Sequence, residues 1–119
     1  MLLGLPLLAG KAPKTPDVTV VEFSAKHSGE LVEIEATVRN SGLKPIAEGV
    51  LIFQFFSPQH ESLTIQRAQL EDRTLAPGET STIHAQLGDP VRAVTVEVDA
   101  TDVAGHVFRV AGGGPFPIE

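Results

Sequence analysis

Four histidines are the residues of this sequence best suited to chemistry, because an imidazole can bind a metal ion or transfer a proton near neutral pH. They are His27, His60, His84 and His106. None of them lies at the close spacing of a helical zinc motif, although strands can bring distant residues together. Solvated surface histidines are the simpler interpretation. A small metal site built from His and Asp side chains is the alternative.

Three neighbouring acidic residues, Glu97, Asp99 and Asp102, raise the question of a calcium site. Calcium takes several oxygen ligands that one loop holds in place. These carboxylates instead alternate along a predicted strand, and no EF-hand loop surrounds them. A solvated strand face or an aspartate turn cap explains them better.

No nucleophile with a matching base can be named. Ser41 and Ser81 lie at a predicted turn and a strand edge, without the G-x-S-x-G elbow of a hydrolase. The glycine run 112–114 lacks the Lys-Ser/Thr pair and the following helix of a phosphate loop. The sequence therefore predicts a protein that is not an enzyme, with no catalytic, cofactor-binding or metal-ligating residue assigned.

Composition argues against several partners. The net charge of −6, from 15 acidic and 9 basic residues, repels phosphate backbones and disfavours nucleic-acid binding. Because cysteine is absent, a disulfide framework and a thiolate metal site are excluded. The lack of Trp and Tyr disfavours carbohydrate binding and a high-affinity protein hot spot. A spacer role or a low-affinity contact with another protein fits best.

Residues 1–16 are predicted to be an apolar leader and linker outside the fold. The run Met1–Gly10 is too short to span a bilayer, which takes about 20 residues. It fits the apolar region of a secretory signal, with Gly10 and Ala12 as the small residues before cleavage, although the usual basic start is missing. We therefore expect export to the periplasm or the cell exterior. The absence of cysteine leaves the compartment open, and a floppy leader or an extra strand is the alternative.

The elements that must position these residues are strands. From residue 18 onward, apolar residues recur with period two, and turn residues interrupt them at short intervals. No amphipathic helix is apparent. The seven predicted strands are Val18–Ala25, Leu31–Arg39, Gly49–Ser57, Ser62–Leu70, Thr80–Leu87, Arg92–Thr101 and His106–Ala111.

The alternation also assigns faces to the strands. The inward residues of the second and sixth strands are Val32, Ile34, Ala36 and Val38, and Val94, Val96, Val98 and Ala100. The strand 49–57 is apolar on both faces, as a central strand is, with Phe53 and Phe55 together on one face. The strand 62–70 is more polar and is predicted at a sheet edge, with Leu63 and Ile65 inward and Thr64 and Gln66 outward.

Two packed antiparallel sheets bury so many one-sided strands most simply. The sequence therefore predicts an all-β protein, a seven-stranded immunoglobulin- or fibronectin-like antiparallel β-sandwich over residues 17–112. Its core is aliphatic and Phe-based, because the two Cys and the Trp of antibody domains are absent. Residues 113–119 are predicted to be a C-terminal tail, and the glycine run 112–114 a flexible exit from the domain.

Two stretches carry a family resemblance. One is Val38-Arg39-Asn40-Ser41-Gly42, similar to a "V-x-N-x-G" strand end, followed by the apolar strand 50–57. The other is Leu75-Ala76-Pro77-Gly78-Glu79-Thr80, similar to an "L-x-P-G-E" turn. Together they resemble the bacterial FxLYD domains and, more loosely, CARDB-type adhesion modules, over less than half of the chain. Phe55, Phe56 and Ser57 depart from the Leu, Tyr and Asp of that pattern. The resemblance implies an exported bacterial module without enzyme activity, and it carries over no site residue.

We therefore expect a non-enzymatic accessory or protein-interaction module of an exported bacterial protein. Its contact surface is predicted at the edge strand 62–70 or at the loop ends around 40–48 and 102–105. The alternative function is a small metal-binding sandwich that uses His and Asp side chains.

Overall fold

The computed structural model describes residues 15–119, so the predicted apolar run and cleavage site at 1–12 lie outside the described residues. In this part of the chain all regular structure is β, which confirms the predicted all-β class. The strands are β1 (Val18–Ser28), β2 (Leu31–Asn40), β3 (Ile46–Ala47), β4 (Gly49–Phe56), β5 (Ser62–Gln69), β6 (Thr74–Leu75), β7 (Thr80–Gly88), β8 (Thr95–Asp102), β9 (Val107–Phe108), β10 (Val110–Ala111) and β11 (Phe116–Pro117).

The six long strands divide equally between two sheets. The first sheet has the order β10-β1-β2-β7, and the second has the order β11-β8-β4-β5, with β9 also paired to β8. Strands β3 and β6 form a separate two-stranded sheet. The pairing of β1 with β10 is parallel, which the purely antiparallel prediction did not include.

One apolar core lies between the sheets. The inward residues predicted for β2 are all buried, and so are Val96, Val98 and Ala100 of β8. Phe53 and Phe55 of the central strand β4 are fully excluded from solvent, and each contributes roughly 2–3 kcal/mol by burial. The chain is therefore an all-β protein of packed sheets, as a β-sandwich is.

Strand β5 lies at a sheet edge as predicted, but its faces are reversed. Ile65 is 50% exposed and lies opposite Gln54, on the outer face of the sheet. Gln66 lies opposite the buried Phe53, and Thr64 opposite the buried Phe55, on the core side. Directly opposed residues share a face of a sheet. The predicted inward Ile65 and outward Gln66 and Thr64 are therefore wrong.

A β-bulge explains why Leu63 and Ile65 differ although they are two residues apart. The register between β4 and β5 shifts between Phe55 and Phe56, beside Leu63. Leu63 packs against the core while Ile65 does not. A bulge adds a residue to one strand, so a strict period of two cannot assign both sides of it.

Strand β8 begins later than predicted. Val94 is 38% exposed and precedes the first strand residue, Thr95, so its predicted inward position is wrong. Pro90 accepts a turn hydrogen bond from the N–H of Ala93, and Arg92 adopts a left-handed φ of 76°. This turn replaces the first residues of the predicted strand and buries Ala93 instead.

The predicted last strand, 106–111, is divided between the two sheets. β9 pairs with β8 in the second sheet, and β10 pairs with β1 in the first. Arg109 is the residue between them, and its carbonyl accepts hydrogen bonds from Asp17 and Val18. The chain therefore crosses from one sheet to the other within a stretch whose alternation looks continuous.

Residues 113–119 belong to the packed structure and are not a flexible tail. β11 pairs with β8, and the Phe116 ring stacks on Phe23 with centroids 4.2 Å apart. A Cβ on Gly113 would lie 2.4 Å from the Val98 carbonyl oxygen, so only glycine lets the backbone pass there. The glycine run thus serves close backbone approach. The boundary predicted at residue 112 is too early.

No helix in the described residues is long and apolar enough to cross a membrane.

Candidate interaction edge

The four histidines lie apart, each beside a different carboxylate. The nitrogen–oxygen distances are 2.7 Å for His27–Asp89, 3.8 Å for His60–Glu97, 3.1 Å for His84–Glu35 and 2.8 Å for His106–Asp102. His60 also stacks on the Phe56 ring, with centroids 4.4 Å apart. Within residues 15–119, no three His or acidic side chains come close enough to hold a metal ion.

Asp102 caps the turn between β8 and β9. Its Oδ1 accepts hydrogen bonds from the backbone N–H groups of Ala104 and His106, at 3.0 and 2.9 Å. Its Oδ2 lies 2.8 Å from Nδ1 of His106. The hydrogen bond to the His106 ring, followed by that to the His106 backbone, lowers the pKa of Asp102 below its ordinary value. The turn-cap interpretation is therefore confirmed for Asp102.

Asn40 joins the two stretches that carry the family resemblance. Its Nδ2 donates to the carbonyl oxygens of Lys44 and Leu75, both at 2.8 Å, and its Oδ1 accepts from the N–H of Gly42. Its carbonyl oxygen accepts from the N–H of Gly78. The side chain is 1% exposed, so it braces the fold and offers no free group for chemistry.

The two serines singled out above also have structural roles. The Ser41 hydroxyl hydrogen-bonds the hydroxyl of Thr19. Ser81 is buried in β7.

The two predicted loop ends share one cleft of about 720 Å³. Residues 42–47 line one wall, and Asp102, His106 and Phe108 line another. Leu43 beside it is 95% exposed. The structure thus brings the 40–48 loop and the turn after β8 together, as a concave surface with mixed polar and apolar walls.

The edge of β5 presents free backbone groups. The Leu70 N–H donates to the Gly49 carbonyl, and in an antiparallel ladder every second pair makes such bonds. Counting back along the register, Ala68, Gln66 and Thr64 bond to β4. The N–H and C=O groups of Ile65, Arg67 and Gln69 therefore point away from the sheet. They form the pairing positions of a strand site that no residue from 15 to 119 occupies.

The other open edge, β7, is capped at one end by the side chain of Gln66. Its Nε2 donates to the Gly88 carbonyl at 2.8 Å, and its Oε1 accepts from the Gly88 N–H at 3.1 Å. The Asn40 N–H donates to the Glu79 carbonyl, so every second residue of β7 from Glu79 onward bonds to β2. The N–H and C=O groups of Gly88 therefore lie on the side of β7 away from β2. The Gln66 amide thus occupies a position where a neighbouring strand would pair.

Two side chains distinguish the β5 edge from the β7 edge. Ile65 is the half-exposed apolar residue of β5, and Arg67 beside it is exposed and makes no ion pair with any residue from 15 to 119. The outward residues of β7 are all polar: Thr80, Thr82, His84 and Gln86. An added strand would therefore bury apolar surface at β5 but not at β7.

Sequence reasoning gave Gln66 only an outward position and assigned nothing to Arg67, and no local signal points to the role of either. The partner of Gln66 is 22 residues away in the other sheet. The role of Arg67 depends on which backbone groups of β5 point away from β4. The sequence pattern does not show this, because the bulge at Leu63 interrupts the alternation of the strand.

No family model matches this chain, and no curated protein is similar to it in sequence.

Proposed function

We propose that this chain is a non-enzymatic, immunoglobulin-like interaction module that binds another protein by strand addition at β5. The observation that carries the proposal is the edge itself, where the backbone groups of Ile65, Arg67 and Gln69 have no partner among residues 15–119 and Ile65 is half-exposed. In strand addition, backbone hydrogen bonds supply affinity, and alternate side chains supply specificity.

Several features support the immunoglobulin-like assignment. Two sheets of long antiparallel strands enclose one core, and the chain passes between them from β2 to β4, from β5 to β7 and from β7 to β8. Such exchanges are typical of Greek-key sandwiches. A relationship to FxLYD or CARDB-type modules is part of this proposal, because the two resembling stretches meet at Asn40.

The decisive test replaces Ile65 by proline. Since its N–H points away from β4, Ile65→Pro removes one outward donor and leaves the internal ladder intact. The matched control is Thr82→Pro, which removes an outward N–H from the β7 edge. In a pull-down from extracts of the source organism, we expect Ile65→Pro to lose partners that the wild type and Thr82→Pro retain. Retention by Ile65→Pro would contradict the β5 site.

The loop-end cleft is the second candidate surface for the same function. Leu43 is almost fully exposed at its rim, and the cleft is the concave surface at which the two predicted loop ends meet. Leu43→Asp would then abolish capture while Ile65→Pro would not. This pattern separates the two surfaces in one experiment.

Export is proposed from the apolar run at 1–10 and the small residues after it. N-terminal sequencing of the protein recovered from its source should find a chain that begins after Ala12. A chain that retains Met1 or Leu2 would contradict export by this signal.

A further inference from the structure

Beyond the site itself, the β5 edge specifies the chemistry of the strand it binds. We propose that this strand carries an acidic residue beside Arg67 and, two positions away, an apolar residue beside Ile65. The inference rests on the proposed function, because it concerns the occupant of the same edge.

Charge complementarity carries the first half of the inference. Arg67 stands on the outer face opposite Ile52, and the nearest acidic residue in that cross-strand row is Asp99, one strand further across. The two strand spacings between them are about 10 Å, and no ion pair joins them. A carboxylate on an added strand would stand directly beside Arg67, at the distance at which opposite charges stabilise a pair.

The position of Ile65 carries the second half. Ile65 and Arg67 are both outward-bonding residues of β5, so an added strand in hydrogen-bond register places one residue beside each. Residues two apart on that strand share the outer face. An aliphatic side chain beside Ile65 would cover apolar surface that is now half-exposed.

A second copy of this chain does not supply the required acid. Two copies related by a two-fold axis would pair their β5 strands antiparallel. In such a pair, residues whose backbone groups point away from β4 stand opposite one another. Arg67 would therefore lie opposite Leu63, Ile65, Arg67 or Gln69 of the second copy. The nearest acidic residues, Glu61 and Glu71, lie outside β5, and the Glu61 carbonyl bonds Ser57 on the β4 side. The edge therefore favours a segment of a different protein.

The test is a selection of random ten-residue peptides displayed on yeast, with the purified full chain as bait. We expect enriched peptides to carry Asp or Glu two positions from an aliphatic residue. Against Arg67→Glu, such a peptide should bind about two- to fivefold more weakly, the range of one cross-strand charge pair. Changing its acidic residue to Lys should restore that loss. Thr82→Pro, as the matched control, should bind like the wild type.

The remaining outcomes separate this inference from the proposed function. Peptides that require Ile65 but show no acidic preference would overturn the inference and leave strand addition at β5 standing. An empty selection, or peptides that bind Ile65→Pro equally well, would overturn both. Concentration-dependent self-association in sedimentation, lost in Ile65→Pro, would show that the occupant is a second copy and overturn the inference.

Discussion

The two sides of this protein treat their sheet edges in opposite ways. On one side, which we call the closed side, residues 107–117 cover the edges of β1 and β8 as the strands β9, β10 and β11. On the other, the open side, no strand within residues 15–119 pairs with the outer edges of β5 and β7, and the amide of Gln66 bonds one to the other at Gly88. Strand pairing and the stacked rings of Phe23 and Phe116 hold the closed side together. Between the two strands of the open side, the described residues show the side-chain hydrogen bonds of Gln66 to Gly88.

This difference shows where the fold leaves room for a partner. Native proteins cover or disrupt their sheet edges, because unpaired N–H and C=O groups recruit other strands. Residues 107–119 close one side, whereas no strand within residues 15–119 pairs with the outer edge of β5, whose eight residues include no proline or lysine. An edge left open beside a half-exposed Ile65 is suited to binding.

The largest expected effect tests which β5 groups face outward. Ala68→Pro should destabilise the protein by about 3 kcal/mol, because it removes a ladder hydrogen bond to β4 and leaves the carbonyl of the buried Leu51 unpaired. Ile65→Pro, three residues away on the same strand, should cost less than about 1 kcal/mol, since its N–H points away from β4. Urea unfolding of both variants measures the difference. Equal losses would mean that the hydrogen-bond alternation along β5 is wrong.

The closed side is tested next by truncating the stacked ring of Phe116. Phe116→Ala should destabilise the protein by about 2 kcal/mol, below the range for a fully buried Phe because the residue is only half-buried. A double-mutant cycle with Phe23→Ala should give a coupling of about 1 kcal/mol from the stack. Additive losses would show that the C-terminal segment does not depend on this contact.

A smaller effect on stability is expected from the side-chain hydrogen bonds of Gln66 on the open side. Gln66→Ala should cost about 1–2 kcal/mol, because it removes both hydrogen bonds to Gly88. Gln86→Ala on β7 is the control. Gln86 is exposed, and its loss should stay within about 0.5 kcal/mol. The two unfolding midpoints should differ clearly, and equal midpoints would mean that Gln66 does not hold the edges together.

The smallest effect concerns acid stability at the turn that leads into the closed side. Asp102 has a lowered pKa in the folded protein, so the unfolded chain takes up this proton first as the pH falls. Its stabilising contribution is present above its ordinary pKa of 3.8 and is lost as the pH falls through the lower, folded value. Asp102→Asn should flatten the pH dependence of the unfolding midpoint below about pH 4. A pH dependence that stays the same in Asp102→Asn would contradict this role of the turn cap.

Period-two alternation predicted the six long strands and most of the core, because each of them has one face toward the other sheet. Val32 and Ile34 of β2 and Val96 of β8 are buried as expected. The pattern failed at Ile65, beside a bulge, and at Val94, beside a turn with a left-handed residue. The spacing of apolar residues shows which side chains alternate between the two faces of a strand. It does not show where a bulge or a turn interrupts that alternation.

The candidate site was predictable only in outline. The polarity of residues 62–69 correctly indicated an edge strand, since edge strands bury less on both faces. The free groups of Ile65 and Arg67 were not accessible to the same reasoning. They depend on which residues of β5 bond to β4, a property of the pair of strands.

The sequence by itself determined the all-β class, the positions of the six long strands along the chain and the absence of a recognisable catalytic motif. It could do so because the period of the side chains and the turn residues are local properties. Tertiary structure decided the rest. It placed the four histidines apart, packed residues 113–119 against the sheets through the short strand β11, and closed one side while no residue from 15 to 119 pairs with the outer edge of β5. These outcomes depend on contacts between residues far apart in the chain, such as Phe23 with Phe116 and Gln66 with Gly88.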